Sequence, residues 1–428
     1  MDSLFNSKFM QAINKAGQKL GSNKFVSALQ SGMMSSLAVI MVGAIFQIIQ
    51  SILGPSMLRI LSVNNPWYGY LNLPYEFTMN FLAVWVVILM ANQYAKNLKL
   101  KNNIITAIDA TVIFFLMSAP VITSKTGMVS LNTTYLGAQG LFVGYIIVGL
   151  VVKIEKFCSD HNIKIKMPEV VPPALQASFS AILPLLFEVI IFGAIFILIQ
   201  LTTQGQYNFA SGLMAILGRP LKVLNSTPGV IIIDLIGLIL WSFGIHGSMI
   251  IMTIMMPLWL QAAGVNAALH AAGKALKFNP AFLWLPISTV GGTGNTISLV
   301  LMGLRAKSKQ IKAISKASLI PGLFCINEPV TFGMPIMYNP IMIIPYVLNT
   351  IIIVILYLIG YKSGILGLPY IPVISILPIG GLDYVNSLNL MNLVWPYLMI
   401  IPSGIIWYPF FKAYDKQLYE KEQSVSQN

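Results

Sequence analysis

The chain has 428 residues, of which 56% are hydrophobic and only 9% are charged, whereas an ordinary soluble domain carries roughly 25% charged residues. This composition excludes a soluble globular domain and indicates an all-α, polytopic membrane protein. Apolar runs long enough to cross a bilayer recur along the sequence. The first of them, Ala28 to Leu53, contains no charge and exceeds the roughly 20 residues that a crossing helix needs.

The formal net charge of +13 raises the question of nucleic-acid binding. The distribution of the cations argues against it, because Lys and Arg gather in short clusters between apolar runs. Such clusters mark cytoplasmic loops, so we expect no nucleic-acid partner and place both termini in the cytoplasm. The five clusters are Lys8–Lys24, Lys96–Lys101, Lys153–Lys166, Arg305–Lys316 and Lys412–Lys421.

Other classes of chemistry find no support in the sequence. Cys158 and Cys325 are too few for a disulfide framework, and no Cys/His cluster predicts a metal site. There is no GxxxxGK[ST] loop to bind ATP phosphates, so we expect no cofactor. The first apolar run is too long for a cleavable signal and is expected to stay as a membrane anchor.

Taken in order, the apolar runs and basic loops predict a scaffold half with five crossings, followed by a transport half. A connecting segment of helical amphipathic pattern separates the two halves, as expected for a helix lying on the membrane. The predicted parts are an interfacial N-terminal helix at 1–27, the scaffold and dimerisation half at 28–202, the amphipathic connector at 203–227, the transport half at 228–411 and a cytoplasmic tail at 412–428.

Three apolar segments of the transport half are broken by glycine or proline. They read GIHG at 244–247, GGTGN at 291–295 and NEP at 327–329, and long apolar runs resume at 341–361, 365–379 and 388–411. Irregular backbone at membrane depth is tolerated only where protein or a water-filled cavity satisfies it. Broken segments of this kind mark the binding site in many transporters, so we expect a solute cavity here.

Five ionisable residues fall inside predicted membrane segments, where each costs on the order of 3 kcal/mol. Asp109, with threonines nearby, is expected to form an interhelical hydrogen bond. For Glu188 and Asp234, structural pairing and a substrate role stay equally open. His246 and Glu328 lie on broken backbone, and we expect both to act on the solute.

The groups at the breaks are a carboxylate, an imidazole, amides and hydroxyls, a set that suits a neutral polyhydroxylated solute. Glu328 precedes a proline, which disfavours helix at Glu328 itself. Trp241 either stacks on a sugar face or packs against lipid. The predicted substrate-binding residues are Trp241, His246, Thr293, Gly294, Asn295, Asn327 and Glu328, with His246 and Glu328 also expected to take part in catalysis.

With GIHG, GGTGN and NEPV in this order, the chain resembles the membrane IIC component of sugar phosphotransferase systems, in the lactose, cellobiose and diacetylchitobiose class. The resemblance covers essentially the whole chain. It implies about ten transmembrane helices, two re-entrant hairpins and interfacial amphipathic helices. It also implies a homodimer in the bacterial inner membrane, with sugar contacts at the positions of His246 and Glu328.

The resemblance further implies an elevator motion that carries the sugar to a cytoplasmic IIB subunit, whose phosphocysteine phosphorylates it. IIA and the general phosphotransferase proteins act upstream. No IIB domain follows Lys412–Lys421, and neither cysteine lies in a soluble domain, so we expect IIB on a separate chain. This favours a cellobiose-like β-linked disaccharide over lactose.

Two alternatives stay open at this point. A proton-coupled sugar symporter would use Glu328 or Asp234 as the proton carrier, and a channel or receptor would use the polar groups only for selectivity. The residues alone do not separate these classes from group translocation. Nor do they fix the protonation of Glu328, since burial raises and hydroxyl donors lower a carboxyl pKa.

Overall fold

A computed structural model describes residues 22–55, 58–123, 127–168, 170–244, 246–334, 336–337 and 339–426. The predicted all-α membrane fold is confirmed. Six described helical segments are long and apolar enough to cross a bilayer, or seven if one broken pair counts as a single span. The total of about ten crossings stays a prediction, and most of the predicted N-terminal interfacial helix lies outside the described residues.

One compact unit spans Ser22–Lys222. The helices formed by its described residues are α1 Lys24–Ser35, α2 Leu37–Leu53, α3 Pro66–Met79, α4 Leu82–Asn97, α5 Asn103–Ser118, α6 Leu141–Asp160, α7 Pro173–Thr202 and α8 Phe209–Leu224, the last of which ends in the next unit. Strands β1 Val121–Thr123 and β2 Val129–Leu131 pair antiparallel in the loop after α5.

The second unit begins at Val223. Its helices are α9 Thr227–Ser242, α10 Gly247–Ala271, α11 Ile297–Gly303, α12 Lys309–Leu323, α13 Glu328–Gly333, α14 Pro340–Lys362, α15 Gly381–Ser387 and α16 Leu390–Ser426. Short 3₁₀ turns at Pro280–Leu283 and Leu285–Ile287 lead into the glycine-rich turn before α11. The division of the chain into a scaffold half and a transport half stays a prediction.

Two segments differ from the sequence interpretation. Residues 153–160, read as a loop, continue α6: Lys153 is exposed on one face while Glu155 and Cys158 are buried on the other. Residues 365–379, an apolar run of crossing-helix composition, form no helix. Pro369, Pro372 and Pro378 explain this difference, because each removes a backbone donor and disfavours helix at the preceding residue.

Candidate functional site

The three broken segments meet within the unit that begins at Val223. Ser248 Oγ lies 2.9 Å from Thr293 Oγ1, joining the start of α10 to the GGTGN turn. The Asn327 amide donates to the Thr293 carbonyl, joining that turn to the NEP segment. His246 Nε2 lies 3.8 Å from Glu328 Oε1, which joins the first segment to the third. Residues distant in sequence thus form one polar cluster.

His246 caps the N-terminus of α10. Its Nδ1 accepts from the Met249 backbone N–H at 3.4 Å, so the proton of a neutral imidazole is placed on Nε2, the nitrogen that faces Glu328. The Trp241 ring packs edge-on against the imidazole, with ring centroids 3.7 Å apart. Trp241 is itself buried, so it supports the histidine and presents no open stacking face.

Glu328 is the first residue of the six-residue helix α13, which is not one of the membrane-crossing helices. About half of its side chain is exposed, 45%, close to the 48% of His246. The neighbouring His246 is the largest influence that holds the Glu328 pKa below its usual value; burial opposes this, and backbone donors assist it. The carboxyl is therefore an ionised acceptor at neutral pH.

The GGTGN turn depends on its glycines. Gly292 and Gly294 adopt φ of 88° and 87°, backbone conformations that residues other than glycine rarely adopt. A Cβ at Gly292 would crowd the Asn327 side chain, and one at Gly294 would overlap the Tyr346 ring. The turn is thus fitted closely to residues that follow it in the chain.

Asn295 and Asn349 hold this turn from inside. The Asn295 side chain accepts from Val290 N at 2.9 Å and donates to the Pro286 carbonyl at 3.1 Å. Asn349, on α14, donates to the carbonyls of Gly294 at 2.9 Å and Asn295 at 3.0 Å. Asn295 is fully buried, so its amide shapes the turn.

Burial divides the predicted site residues into two groups. His246 and Glu328 present half-exposed side chains. The remaining residues are buried, and those with polar side chains use them mainly for contacts within the cluster; they are Trp241, Thr293, Gly294, Asn295 and Asn327.

Sequence reasoning missed several members of this region. Asn349, Tyr346 and Tyr357 are polar or aromatic residues on α14 that a run of apolar residues obscures. Asp383 lies in α15, after Gly380 and Gly381, and is only 5% exposed. A carboxylate flanked by apolar runs is a signal that could have included Asp383 among the candidates.

The other acidic residues predicted inside membrane segments form none of the contacts described for this cluster. Asp109 on α5 and Glu155 on α6 are both buried, and the expected interhelical hydrogen bond of Asp109 stays a prediction. Glu188 on α7 is buried with no hydrogen-bond partner at either oxygen, and Asp234 on α9 is in the same condition. Their roles stay open.

The chain resembles known proteins over most of its length. Residues 30–350 match the family model described as "Phosphotransferase system, EIIC". An oligo-β-mannoside-specific EIIC component of Bacillus subtilis strain 168 is 30% identical, with 98% of this chain and 97% of that protein covered. A lichenan permease IIC component of the same organism is 28% identical, with 95% and 93% covered.

A solved structure resembles the whole fold. The crystal structure of ChbC, the IIC component of an N,N′-diacetylchitobiose-specific phosphotransferase system, superimposes with a TM-score of 0.85. The two sequences are 28% identical, and the match covers 96% of this chain and 98% of ChbC. The chain belongs to the EIIC family of multi-pass sugar permeases of the phosphotransferase system.

Proposed function

We propose that this chain binds a β-linked disaccharide at the His246–Glu328 pair and imports it for phosphorylation. The observation that carries the proposal is the half-exposed pair itself, with atoms 3.8 Å apart. If a hydroxyl oxygen lies about 2.8 Å from both atoms, the angle at that oxygen between its two contacts is about 85°. This angle allows the hydroxyl to accept from His246 and to donate to Glu328. A sugar hydroxyl meets both requirements.

The same geometry supports a chemical role. His246 Nε2–H would hold the hydroxyl oxygen while Glu328 accepts its hydrogen. When that oxygen attacks the phosphoryl group, an O–P bond forms, the S–P bond to the IIB cysteine breaks, and Glu328 takes the proton as general base. Positioning contributes most in such transfers, because the protein has little covalent chemistry to perform.

The substrate class follows from the relatives and from the site. Oligo-β-mannosides, lichenan and diacetylchitobiose appear in the names of similar proteins, and all are β-linked. We therefore infer a β-linked disaccharide, cellobiose-like in size. We also propose that the chain forms a homodimer with both termini in the cytoplasm, and that an elevator motion of its sugar-binding half delivers the sugar to a IIB phosphocarrier on a separate chain.

The runner-up function is proton-coupled symport. It requires a carboxyl that exchanges a proton near neutral pH, and the depressed pKa of Glu328 argues against Glu328 in that role. Asp234 is buried without a hydrogen-bond partner for its carboxylate and could carry a proton instead. This observation keeps symport as the alternative to test.

Calorimetric titration of the purified protein tests the binding proposal. We expect cellobiose or diacetylchitobiose to bind and maltose, an α-linked disaccharide, to bind at least tenfold more weakly. Equal affinity for the α- and β-linked sugars would contradict the substrate class. Binding that survives loss of both site side chains, in a His246→Ala/Glu328→Ala variant, would contradict the site.

A further inference from the structure

Behind the GGTGN turn, three buried side chains from three separate elements form a directed hydrogen-bond chain. Thr289 Oγ1 donates to the Tyr357 hydroxyl at 3.2 Å, and that hydroxyl donates to Asp383 Oδ2 at 3.4 Å. Exposed fractions are 6% for Thr289, 0% for Tyr357 and 5% for Asp383. The carboxylate accepts at the end of the chain and so fixes the direction of both hydroxyls.

The first residue of this chain is tied to both loops of the candidate site. Thr289 lies two positions before Gly291, where the glycine-rich turn begins. Cys325 lies two positions before Asn327, and its thiol donates to the Thr289 carbonyl at 3.4 Å. Thr289 thus joins the GGTGN turn to the segment that carries Glu328.

The last residue is also held in place. Asp383 lies on α15, whose Ser387 hydroxyl donates to the Asp383 carbonyl at 2.9 Å. The backbone N–H of Ile379, just before α15, donates to the Leu323 carbonyl at the end of α12 at 2.9 Å. The NEP segment follows shortly after α12, so both ends of the hydrogen-bond chain adjoin the loop that carries this segment.

The burial of the Asp383 carboxyl group costs folding free energy. Burial raises the pKa of Asp383 to about 7, although the hydrogen bond from Tyr357 opposes this, because removing an ionised carboxylate from water is costly; none of the ion pairs among the described residues includes Asp383. Apolar residues of similar volume would fill the same space more favourably. The carboxylate instead orients the hydroxyls of Tyr357 and Thr289 in one hydrogen-bond chain.

We propose that Asp383 and Tyr357 are positioning residues of the sugar site: through Thr289 they hold the Gly291–Asn295 turn and the Cys325–Glu328 segment in register. This inference rests on the proposed function, because it assigns the two residues to the site that binds the sugar. Neither side chain touches the sugar in this account. Their loss displaces the groups that do.

The native cysteines supply a reporter that does not depend on sugar. In a Cys158→Ser background, Cys325 is the remaining thiol of the sequence, and we expect its hydrogen bond to the Thr289 carbonyl to slow its alkylation. We would measure its rate of reaction with N-ethylmaleimide in the purified full-length protein, together with the affinity for cellobiose or diacetylchitobiose, whichever binds more tightly to the unaltered chain.

Tyr357→Phe and Thr289→Val each remove one hydroxyl and little else. Both are expected to weaken sugar binding about fivefold and to accelerate Cys325 alkylation by a similar factor, the usual size of one lost buried hydrogen bond. Asp383→Asn, which keeps an accepting oxygen, should give a smaller change in the same direction and serves as the second variant if Tyr357→Phe does not fold.

Two controls separate positioning from general packing. Thr289→Ser keeps the donating hydroxyl, and Ser318→Ala removes a buried hydroxyl that bonds only within α12, to the Ile314 carbonyl, so both should stay within about twofold of the unaltered protein. The inference is overturned if Thr289→Ser behaves like Thr289→Val, if Ser318→Ala matches Tyr357→Phe, or if neither readout changes in the hydroxyl-removing variants.

A parallel His246→Ala measurement separates this inference from the proposed function. If His246→Ala loses affinity while Tyr357→Phe and Thr289→Val change nothing, the positioning role alone is wrong. If His246→Ala leaves affinity unchanged, the proposed site is wrong. In that case the Cys325 alkylation rate still decides whether the hydrogen-bond chain holds the two loops.

Discussion

His246 Nε2 lies 3.8 Å from Glu328 Oε1, although the two residues belong to segments separated by the three helices α10, α11 and α12 and by a glycine-rich turn. Each partner is oriented by its own backbone. His246 is held by the N–H of Met249, and Glu328 is held at the start of α13, before Pro329. The pair is therefore a pre-oriented donor and acceptor, half exposed, in a membrane-embedded family of sugar permeases.

Removal of the imidazole should weaken sugar binding. His246→Ala leaves Glu328 and the bound hydroxyl without a donor, which costs about 1–3 kcal/mol, or roughly 5- to 150-fold in affinity. Calorimetric titration measures the loss, and size-exclusion chromatography in detergent confirms that the variant is folded. An unchanged dissociation constant in a folded variant would return His246 to its capping role on α10.

Glu328→Gln separates binding from chemistry. Gln keeps the side-chain size and an accepting oxygen but takes up no proton. We expect sugar affinity to change only a few-fold while the phosphorylation rate at saturating sugar falls by about 100-fold or more. Initial rates with phosphoenolpyruvate, the upstream phosphotransferase proteins and IIB measure this. A rate that recovers fully at saturating sugar would make Glu328 a binding group without a role in proton transfer.

Substitution of Gly294 should destabilise the folded protein, and Gly264 offers a matched control. Gly294→Ala requires an alanine at φ 87° and a methyl group in the space of the Tyr346 ring. We expect a cost of at least about 2 kcal/mol and loss of sugar binding. Gly264→Ala, on α10 with open space around it, should instead stabilise by roughly 0.5–1 kcal/mol. Thermal unfolding in detergent compares the two; equal midpoints would contradict the fitted turn.

The sequence was sufficient to find the broken segments, because glycine, proline and polar residues interrupt otherwise apolar runs. Their convergence could not be derived, since it depends on long-range pairs such as Ser248–Thr293 and Asn349–Gly294. Asp383 carried a sequence signal, a carboxylate between apolar runs, but its contact with Tyr357 on another helix could not be derived. The end of α6 was misread because lysines on its exposed face resemble a basic loop.

The cytoplasmic orientation of the basic segment Arg305–Lys316 can be tested with the C-terminus in one experiment. Glu422 on α16 accepts from the Ser308 hydroxyl at 2.6 Å and from the Lys309 N–H at 2.9 Å. This contact places the start of α12 and the end of α16 on the same side of the membrane. Their basic composition predicts the cytoplasmic side.

For this test, Lys309→Cys and Gln423→Cys would be introduced separately into a Cys158→Ser/Cys325→Ser background. A membrane-impermeant maleimide should label neither position in intact cells and both after permeabilisation. Labelling of either position from outside would contradict the topology, and labelling of only one would also contradict the Ser308–Glu422 contact.

The central claim is that the imported sugar leaves this chain phosphorylated. Its most direct test follows radiolabelled cellobiose or diacetylchitobiose, whichever binds, in vesicles that carry the chain, supplied with phosphoenolpyruvate, the upstream proteins and IIB. The account predicts that sugar phosphate accumulates inside, that uptake stops without phosphoenolpyruvate or IIB, and that a protonophore has no effect. Free sugar accumulating inside without phosphoenolpyruvate, and lost when the protonophore is added, would contradict group translocation and establish proton-coupled symport.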